Sequence, residues 1–330
     1  MKVITSEDDI VSCFMFESVE HILDSENDTE EDRRILSGHC SIHLKEVMHK
    51  TDNVCIFKNG NLSIRMFHVN DRIPISGPMS IDDFIDIDSR GLQSSFIDCD
   101  KSYKYFRTSV FDCPRISGVN YPLGIAMINT HSGIPILGTV HYWRDTSLFD
   151  LIDQDIDDDT KNKTRDDIVN ILVKISQILY DIHQSGYIHT DIKPENILLD
   201  DSLNPYIADI DSFRRIGTLG DKTGTGSFMS PETMAQTLIG PEVDTMGLAL
   251  MIYDLLIDDI TNELDMDKIS ENNYCHKYFV SELVSLTKKL LKDLKNPVSV
   301  CVLGLLSYRP RDARPYLEAM KLKLNQLNVV

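Results

Sequence analysis

Glutamate is missing from a long internal stretch of the chain, since none occurs between Glu46 and Glu195. Any acidic role within that stretch falls to aspartate, which is one methylene shorter. Basic residues are also scarce: 33 Lys and Arg stand against 52 Asp and Glu, for a formal net charge of −19. That balance excludes the basic footprint that general nucleic-acid binding needs and mildly favours basic partners. Long apolar runs are absent as well. The longest, Gly247 to Ile257, is broken by Asp254 and too short to cross a bilayer. The first residues, Met1-Lys-Val-Ile-Thr-Ser-Glu-Asp-Asp, lack the basic start and apolar centre of a signal peptide, so a cytoplasmic chain without a membrane span is expected. Seven cysteines, at 13, 40, 55, 99, 113, 275 and 301, make no CxxC pair and no metal-ligand spacing. Reduced thiols are expected rather than a disulfide framework. No G-x-G-x-x-G occurs anywhere.

What is present is concentrated in one place. Tyr187-Ile-His189-Thr-Asp191-Ile-Lys193-Pro-Glu-Asn196-Ile-Leu-Leu is followed by Ile207-Ala-Asp209-Ile-Asp211. Moving a phosphoryl group to a hydroxyl asks little covalent chemistry of a protein; it asks for orientation of the hydroxyl, Mg²⁺ on the phosphates and neutralised charge. Asp191 suits the role of base, Lys193 that of a cation on the transferred phosphate, and Asn196 and Asp209 offer hard oxygen ligands for Mg²⁺. Two short apolar runs, Ile197–Leu199 and Tyr206–Ala208, flank Asp200-Asp-Ser-Leu-Asn-Pro205, which predicts a strand, a turn and a strand that bring Asn196 and Asp209 together.

These residues resemble the eukaryotic-type protein kinase superfamily, whose catalytic loop reads H-R-D-x-x-x-x-N and whose metal-binding motif reads D-F-G. The likeness continues downstream. Gly224-Thr225-Gly-Ser-Phe228-Met-Ser230-Pro231-Glu232 is similar to the end of the family's activation loop. Asp244-Thr-Met-Gly247-Leu248 resembles the start of the large helix that anchors the catalytic loop, and Arg314-Pro315 the late Arg-Pro whose arginine pairs with the glutamate here numbered Glu232. The resemblance implies an α+β, bilobal fold with a small β-rich N-lobe and a larger α-helical C-lobe. It divides the chain into an acidic leader over 1–32, an N-lobe over 33–143 with an insertion at about 66–114, and a C-lobe over 144–330.

Local pattern fills in the lobes. From Thr164 to His183 the apolar residues Ile168, Ile171, Leu172, Ile175, Ile178, Leu179 and Ile182 recur at helical spacing, with Thr164 and Asp167 as a capping box. Leu123–Ile128 and Ile134–Tyr142 read as two strands joined through Gly133. They resemble the last N-lobe hairpin, so backbone groups from Val140 to Tyr142 are expected to receive the adenine of ATP. Gly38 stands in for the phosphate-covering loop. Cys55-Ile-Phe-Lys58 resembles the V-A-I-K strand and makes Lys58 the cation for the nucleotide phosphates. Two alternatives stay open: a shifted register with Leu62-Ser-Ile-Arg65 as that strand, and Lys58 as a surface residue beside the Asn59-Gly60 turn.

Several positions depart from the family. The helix glutamate that normally pairs with the lysine has no counterpart, and the region from Ser76 to Pro114 offers aspartates instead, among them Asp82, Asp83, Asp86, Asp88, Asp98 and Asp112. Thr190 replaces the arginine that reads a phosphorylated activation loop, so activity independent of loop phosphorylation is expected. Asp209-Ile210-Asp211 keeps the metal ligand but lacks the glycine; Asp211 is either a second metal carboxylate or a solvent-facing turn residue. The acidic run from Asp150 to Asp159 reads as a solvated loop or as an attractor for basic substrate. Lys193 and Thr225 match serine/threonine kinases. The resemblance therefore implies ATP- and Mg²⁺-dependent phosphorylation of Ser/Thr in basic proteins. The alternative is a pseudokinase that keeps the fold as a binding module.

Overall fold

The structure, a computed structural model, describes residues 10–15, 39–43, 46–50, 54–59, 62–67, 115–129, 135–152, 158–220, 226–260, 264 and 276–327. Two compact units divide the chain: Met1–Asp112 with Asn120–Arg144, and Cys113–Val119 with Asp145–Val330.

The first unit is built on one antiparallel sheet. Its strands are β1 (Ile10–Met15), β2 (His39–His43), β3 (Glu46–Lys50), β4 (Val54–Asn59), β5 (Leu62–Phe67), β6 (Gly124–Asn129) and β7 (Pro135–Tyr142), in the order β2-β1-β6-β7-β5-β4-β3. β3, β4 and β5 form a meander, and β6 and β7 are the hairpin that the two apolar runs predict. Alternation fixes which side of β5 is inside. Leu62 and Ile64 are fully buried, while Ser63 and Arg65 between them are half-exposed, as a period of two requires. Val140, paired with both Ile64 and Gly124, is fully buried as well.

The second unit is largely helical. After the short β8 (Thr146–Ser147) come α1 (Leu148–Ile152), α2 (Asp158–Gln184), β9 (Tyr187–Ile188), β10 (Ile197–Leu199), β11 (Pro205–Ile207), β12 (Arg214–Arg215), α3 (Pro231–Met234), α4 (Pro241–Leu256), α5 (His276–Leu290), α6 (Pro297–Tyr308) and α7 (Arg314–Leu327). α2 buries the apolar face read from the sequence: Ile171, Leu172, Ile175, Leu179 and Ile182 are each 0–2% exposed. The helix begins six residues before Thr164, however, so the expected capping box lies inside it. The helix starts at Asp158 instead.

The expected solvated loop over Asp150–Asp159 is thereby corrected at both ends. Asp150 caps α1: its Oδ2 accepts from the Ser147 N–H at 2.8 Å and hydroxyl at 2.7 Å, and its own N–H donates to Ser147 Oγ at 3.1 Å, a reciprocal cap. α4 is apolar all round and buried from Val243 through Tyr253, the signature of a helix enclosed on every side. Proline at its first turn and Gly240 before it set its start. A piece of chain that precedes β6 also joins this unit. The Gly118 carbonyl accepts from the Ile207 N–H at 2.8 Å, and Val119 forms a parallel bridge with Ile207. Gly118 has φ +81°, and a Cβ there would lie 2.5 Å from Ile178 Cδ1, so only glycine meets both demands. Among the described residues no helix is long and apolar enough to cross a membrane.

Candidate active site

The hairpin β10–β11 pairs Ile197 with Ile207 and Leu199 with Pro205. Its turn is held by Asp200, whose Oδ1 accepts from the N–H groups of Ser202 at 3.0 Å and Asn204 at 2.8 Å, the aspartate-led turn that the sequence suggests. The Ala208 N–H donates to the Asn196 carbonyl at 2.8 Å, extending the pairing one step. Asn196 and Asp209 thus flank the same end of the hairpin.

Three residues of the loop before β10 form one cluster. Lys193 Nζ lies 3.1 Å from Asp191 Oδ2. The Asn196 amide nitrogen donates to the Asp191 carbonyl at 2.8 Å and to its Oδ2 at 3.0 Å. Asp191 is 8% exposed, so its carboxylate sits in a largely buried frame. The Asn196 amide oxygen and the Asp209 carboxylate are hard oxygen donors of the type that Mg²⁺ prefers, so their chemistry fits that ion. Asp209 sits at φ 58°, ψ 51°, in the left-handed region that aspartate tolerates, and Ile210–Ser212 follow as a single 3-10 turn. The chain therefore bends at Asp209 itself, and the missing glycine at 211 does not strain it.

A buried carboxylate underpins the loop. Asp244, on α4 and 1% exposed, accepts from His183 Nε2 at 2.9 Å, from the His189 N–H at 2.8 Å and from the Thr190 N–H at 2.7 Å. Burial alone would raise its carboxyl, but hydrogen bonds and charge from His183 and His189 outweigh that and hold it below the usual carboxylate range. His189 also bonds the Ala208 carbonyl through Nε2 at 2.7 Å and meets the Phe213 ring edge to face at 5.2 Å. Gly247, one turn beyond Asp244, lets α4 approach the loop: a Cβ there would lie 3.1 Å from the Ile192 carbonyl.

One pairing is corrected. Arg309, not Arg314, holds Glu232: its Nη2 donates to Oε2 at 2.7 Å and its Nη1 to Oε1. Arg309 caps α6 with a positive φ of 47° and so turns back toward α3. Arg314 is occupied by Asp312 at 2.8 Å and lies on the Tyr180 ring with its guanidinium carbon 3.3 Å from the centroid. Burial would raise the Glu232 carboxyl, but Arg309 lowers it on balance.

In the first unit, Lys58 lies on β4 with its amine 4.9 Å from the centre of the Trp143 ring, a cation–π contact. Arg65 lies on β5, the strand that pairs directly with β7. The Val140 carbonyl already accepts from the Leu123 N–H at 2.6 Å, and Tyr142 is the last residue of β7, opposite Leu62. Gly38, Thr225 and the aspartates between Ser76 and Pro114 lie outside the described residues. The roles of His183, Ser212 and Arg309 were missed by sequence reasoning. For His183 a signal existed, since it follows Ile182 at the end of the apolar face of an amphipathic helix and is itself buried.

Comparison with known proteins bears on the family and the fold. The family described as "Protein kinase domain" matches residues 130–320, more than half of the chain. The chain belongs to the protein kinase family. It is 31% identical over 143 residues to the interferon-induced, double-stranded RNA-activated protein kinase of Mus musculus, covering 40% of this chain and 28% of that one. With a carbon catabolite-derepressing protein kinase of Candida glabrata it shares 35% over 136 residues, covering 38% and 22%. The chain thus spans under a third of the length of these curated relatives. The solved ROP18 kinase domain in complex with AMP-PNP and sucrose matches with a TM-score of 0.54 at 12% identity, over 96% of this chain and 86% of that one. A Toxoplasma gondii specific rhoptry antigen kinase domain matches at 0.51 and 13%, over 87% and 83%. At such identities the likeness speaks for the fold alone, which is the bilobal α+β fold of protein kinases.

Proposed function

We propose that this chain transfers the γ-phosphoryl group of ATP to serine or threonine hydroxyls of protein substrates. The observation that carries the reading is the Asp191–Lys193–Asn196 cluster, in which Asp191 is bonded to both Lys193 and Asn196 at the mouth of the hairpin that also bears Asp209. Asp191 accepts the hydroxyl proton, Lys193 steadies the transferred phosphate, and Asn196 and Asp209 hold Mg²⁺, which supplies charge neutralisation when bound. A lysine at 193 and a threonine at 225 favour Ser/Thr over tyrosine.

One feature supports a basic substrate. Burial raises the Asp254 carboxyl, and the nearby charges of Asp259 and Glu195 add to that, so the loop glutamate and the end of α4 form a concentrated negative field. A lysine or arginine on the substrate relieves that crowding. The nucleotide cation is assigned by strand order. The kinase lysine belongs to the third strand of the N-lobe meander, and β5 is the third strand of β3–β4–β5. That supports Arg65 over Lys58 as the group on the phosphates, with Lys58 against Trp143. The adenine edge is taken by backbone groups from Tyr142 onward, because the Val140 carbonyl is already engaged.

A second reading, a pseudokinase that binds without turnover, is favoured by one observation: the strand beside β7 carries arginine where active kinases carry lysine. Labelled ATP with Mg²⁺ and a mixture of basic proteins decides between them, with Asp191→Ala as control. Phosphoserine or phosphothreonine that disappears in the control supports the enzyme. A folded, nucleotide-binding wild type that transfers nothing leaves only the binding module.

A further inference from the structure

Thr190 combines three unusual properties. It is β-branched, it is 8% exposed, and its φ of 72° lies in the left-handed region that such residues avoid. A strained residue of this kind persists only where its surroundings over-determine it. Two bonds do so here. Its N–H donates to the buried Asp244 at 2.7 Å, and its hydroxyl donates to the Ser212 carbonyl at 2.8 Å.

Ser212 in turn grips Asp209 twice. Its N–H donates to the Asp209 carbonyl at 2.9 Å, and its hydroxyl donates to Asp209 Oδ2 at 3.1 Å. An unbroken path therefore runs from Asp244 on α4, through Thr190, to Ser212 and the Asp209 carboxylate. The path is framed on both sides: Phe213 packs edge-on against His189 at 5.2 Å, and β12 pairs Arg214 with Ile188 and Arg215 with Tyr187. The Ser212 carbonyl cannot drift while those contacts hold.

We propose that Thr190 and Ser212 are a built-in latch that sets the Asp209 carboxylate for metal without an activation-loop phosphate. An arginine at 190 would present a cation whose geometry depends on an anion supplied by phosphorylation. Threonine replaces that conditional ion pair with a permanent hydroxyl–carbonyl bond to the segment after Asp209. Both act as positioning residues, since neither touches the reacting atoms. The metal half of this assignment rests on the kinase reading above; the latch itself rests on geometry alone.

The test uses the full chain and two readouts that need no turnover. The first is the Mg²⁺ concentration for half-maximal binding of a fluorescent ADP analogue. Thr190→Val keeps the branch and loses the hydroxyl, and it raises that concentration by about fivefold to tenfold, the loss of one hydrogen bond in a buried setting. Ser212→Ala does the same, and the double variant is little worse than either single one, because both cut one path. Thr190→Ser restores the wild-type value, and Mg²⁺-free nucleotide affinity is unchanged throughout. The second readout is amide exchange at Ser212 and Phe213, faster in Thr190→Val and not in Thr190→Ser, at equal melting temperature.

An unchanged Mg²⁺ half-point in Thr190→Val and Ser212→Ala overturns the proposal, as does an equal loss of Mg²⁺-free binding. A wild type that binds no Mg²⁺-nucleotide overturns the kinase reading instead. The exchange arm then decides the latch by itself, and unaltered exchange in Thr190→Val removes it.

Discussion

Glu232 and Asp254 are carboxylates that burial alone would raise, and their fates differ because only one of them meets a cation. Glu232, with its side chain 26% exposed, is held below its ordinary value by Arg309 despite the desolvation. A carboxylate depressed in the fold contributes stability that is fully present above its unfolded value and is lost as pH falls through its folded one. Arg309→Ala should therefore lower stability at neutral pH by about 1–3 kcal/mol and flatten the acid limb of a melting-temperature profile. Arg314→Ala removes only the contribution of Asp312, which Arg314 holds below its ordinary value, so its effect should add to that of Glu232→Gln while the effect of Arg309→Ala should not, which separates the observed pairing from the one the Arg314-Pro315 motif implied. Asp254 has the opposite sign. Its carboxyl is raised by burial, with Asp259 and Glu195 adding to it, so folding favours the protonated form and stability falls as pH rises through the raised value. Asp254→Asn keeps an acceptor for the Ile260 N–H, now at 2.9 Å, and should raise the melting temperature at pH 7 but not at low pH. The same change should raise KM for basic substrates with little effect on kcat. A melting temperature unaltered across pH would refute the first half, and an unaltered KM the second.

Among the elements, α4 carries the catalytic loop and α2 carries His183 to meet it. Gly247 shows how tight that support is. A methyl group there meets the Ile192 carbonyl at 3.1 Å and Ile192 Cβ at 3.2 Å, and neither belongs to a flexible side-chain end. Gly247→Ala should cost about 1–3 kcal/mol and lower phosphotransfer more than nucleotide affinity, because it displaces the loop rather than the nucleotide. Equal loss of both, or no loss of either, would show that α4 does not set the loop. Legibility follows the same division. β10, β11 and the turn between them were readable because their apolar runs and turn residues are contiguous, and α2 because its apolar residues recur from Ile168 to Ile182, about four turns. Its start was not readable, since Thr164–Asp167 imitates a cap although the helix begins six residues earlier, at Asp158. Asp150 was read as part of a charge run because reciprocal bonding with Ser147 depends on a backbone geometry that composition does not reveal.

Across the whole molecule, the residues that were legible are those whose chemistry is local, such as Asp191, Lys193, Asn196 and Asp209, which lie within 19 positions of one another. Those that were missed act over long separations: Arg309 reaches Glu232 across 77 residues and His183 reaches Asp244 across 61. Thr190 stood out only as a departure from the family, and its reach of 22 residues to Ser212 needed the fold. The chain that emerges has its loop, hairpin and anchoring helix bonded together through Asp244, Thr190 and Ser212. The most direct test of that account is the rate of γ-phosphoryl transfer to a basic protein by phosphatase-treated wild type, Thr218→Ala/Thr223→Ala and Asp191→Ala. The account predicts that the first two transfer at rates within about twofold of untreated enzyme, while Asp191→Ala falls by about 10²–10⁴, the usual contribution of a positioned base. Loss of transfer on phosphatase treatment or in the double threonine variant would contradict it, as would a wild type that transfers no phosphate at all.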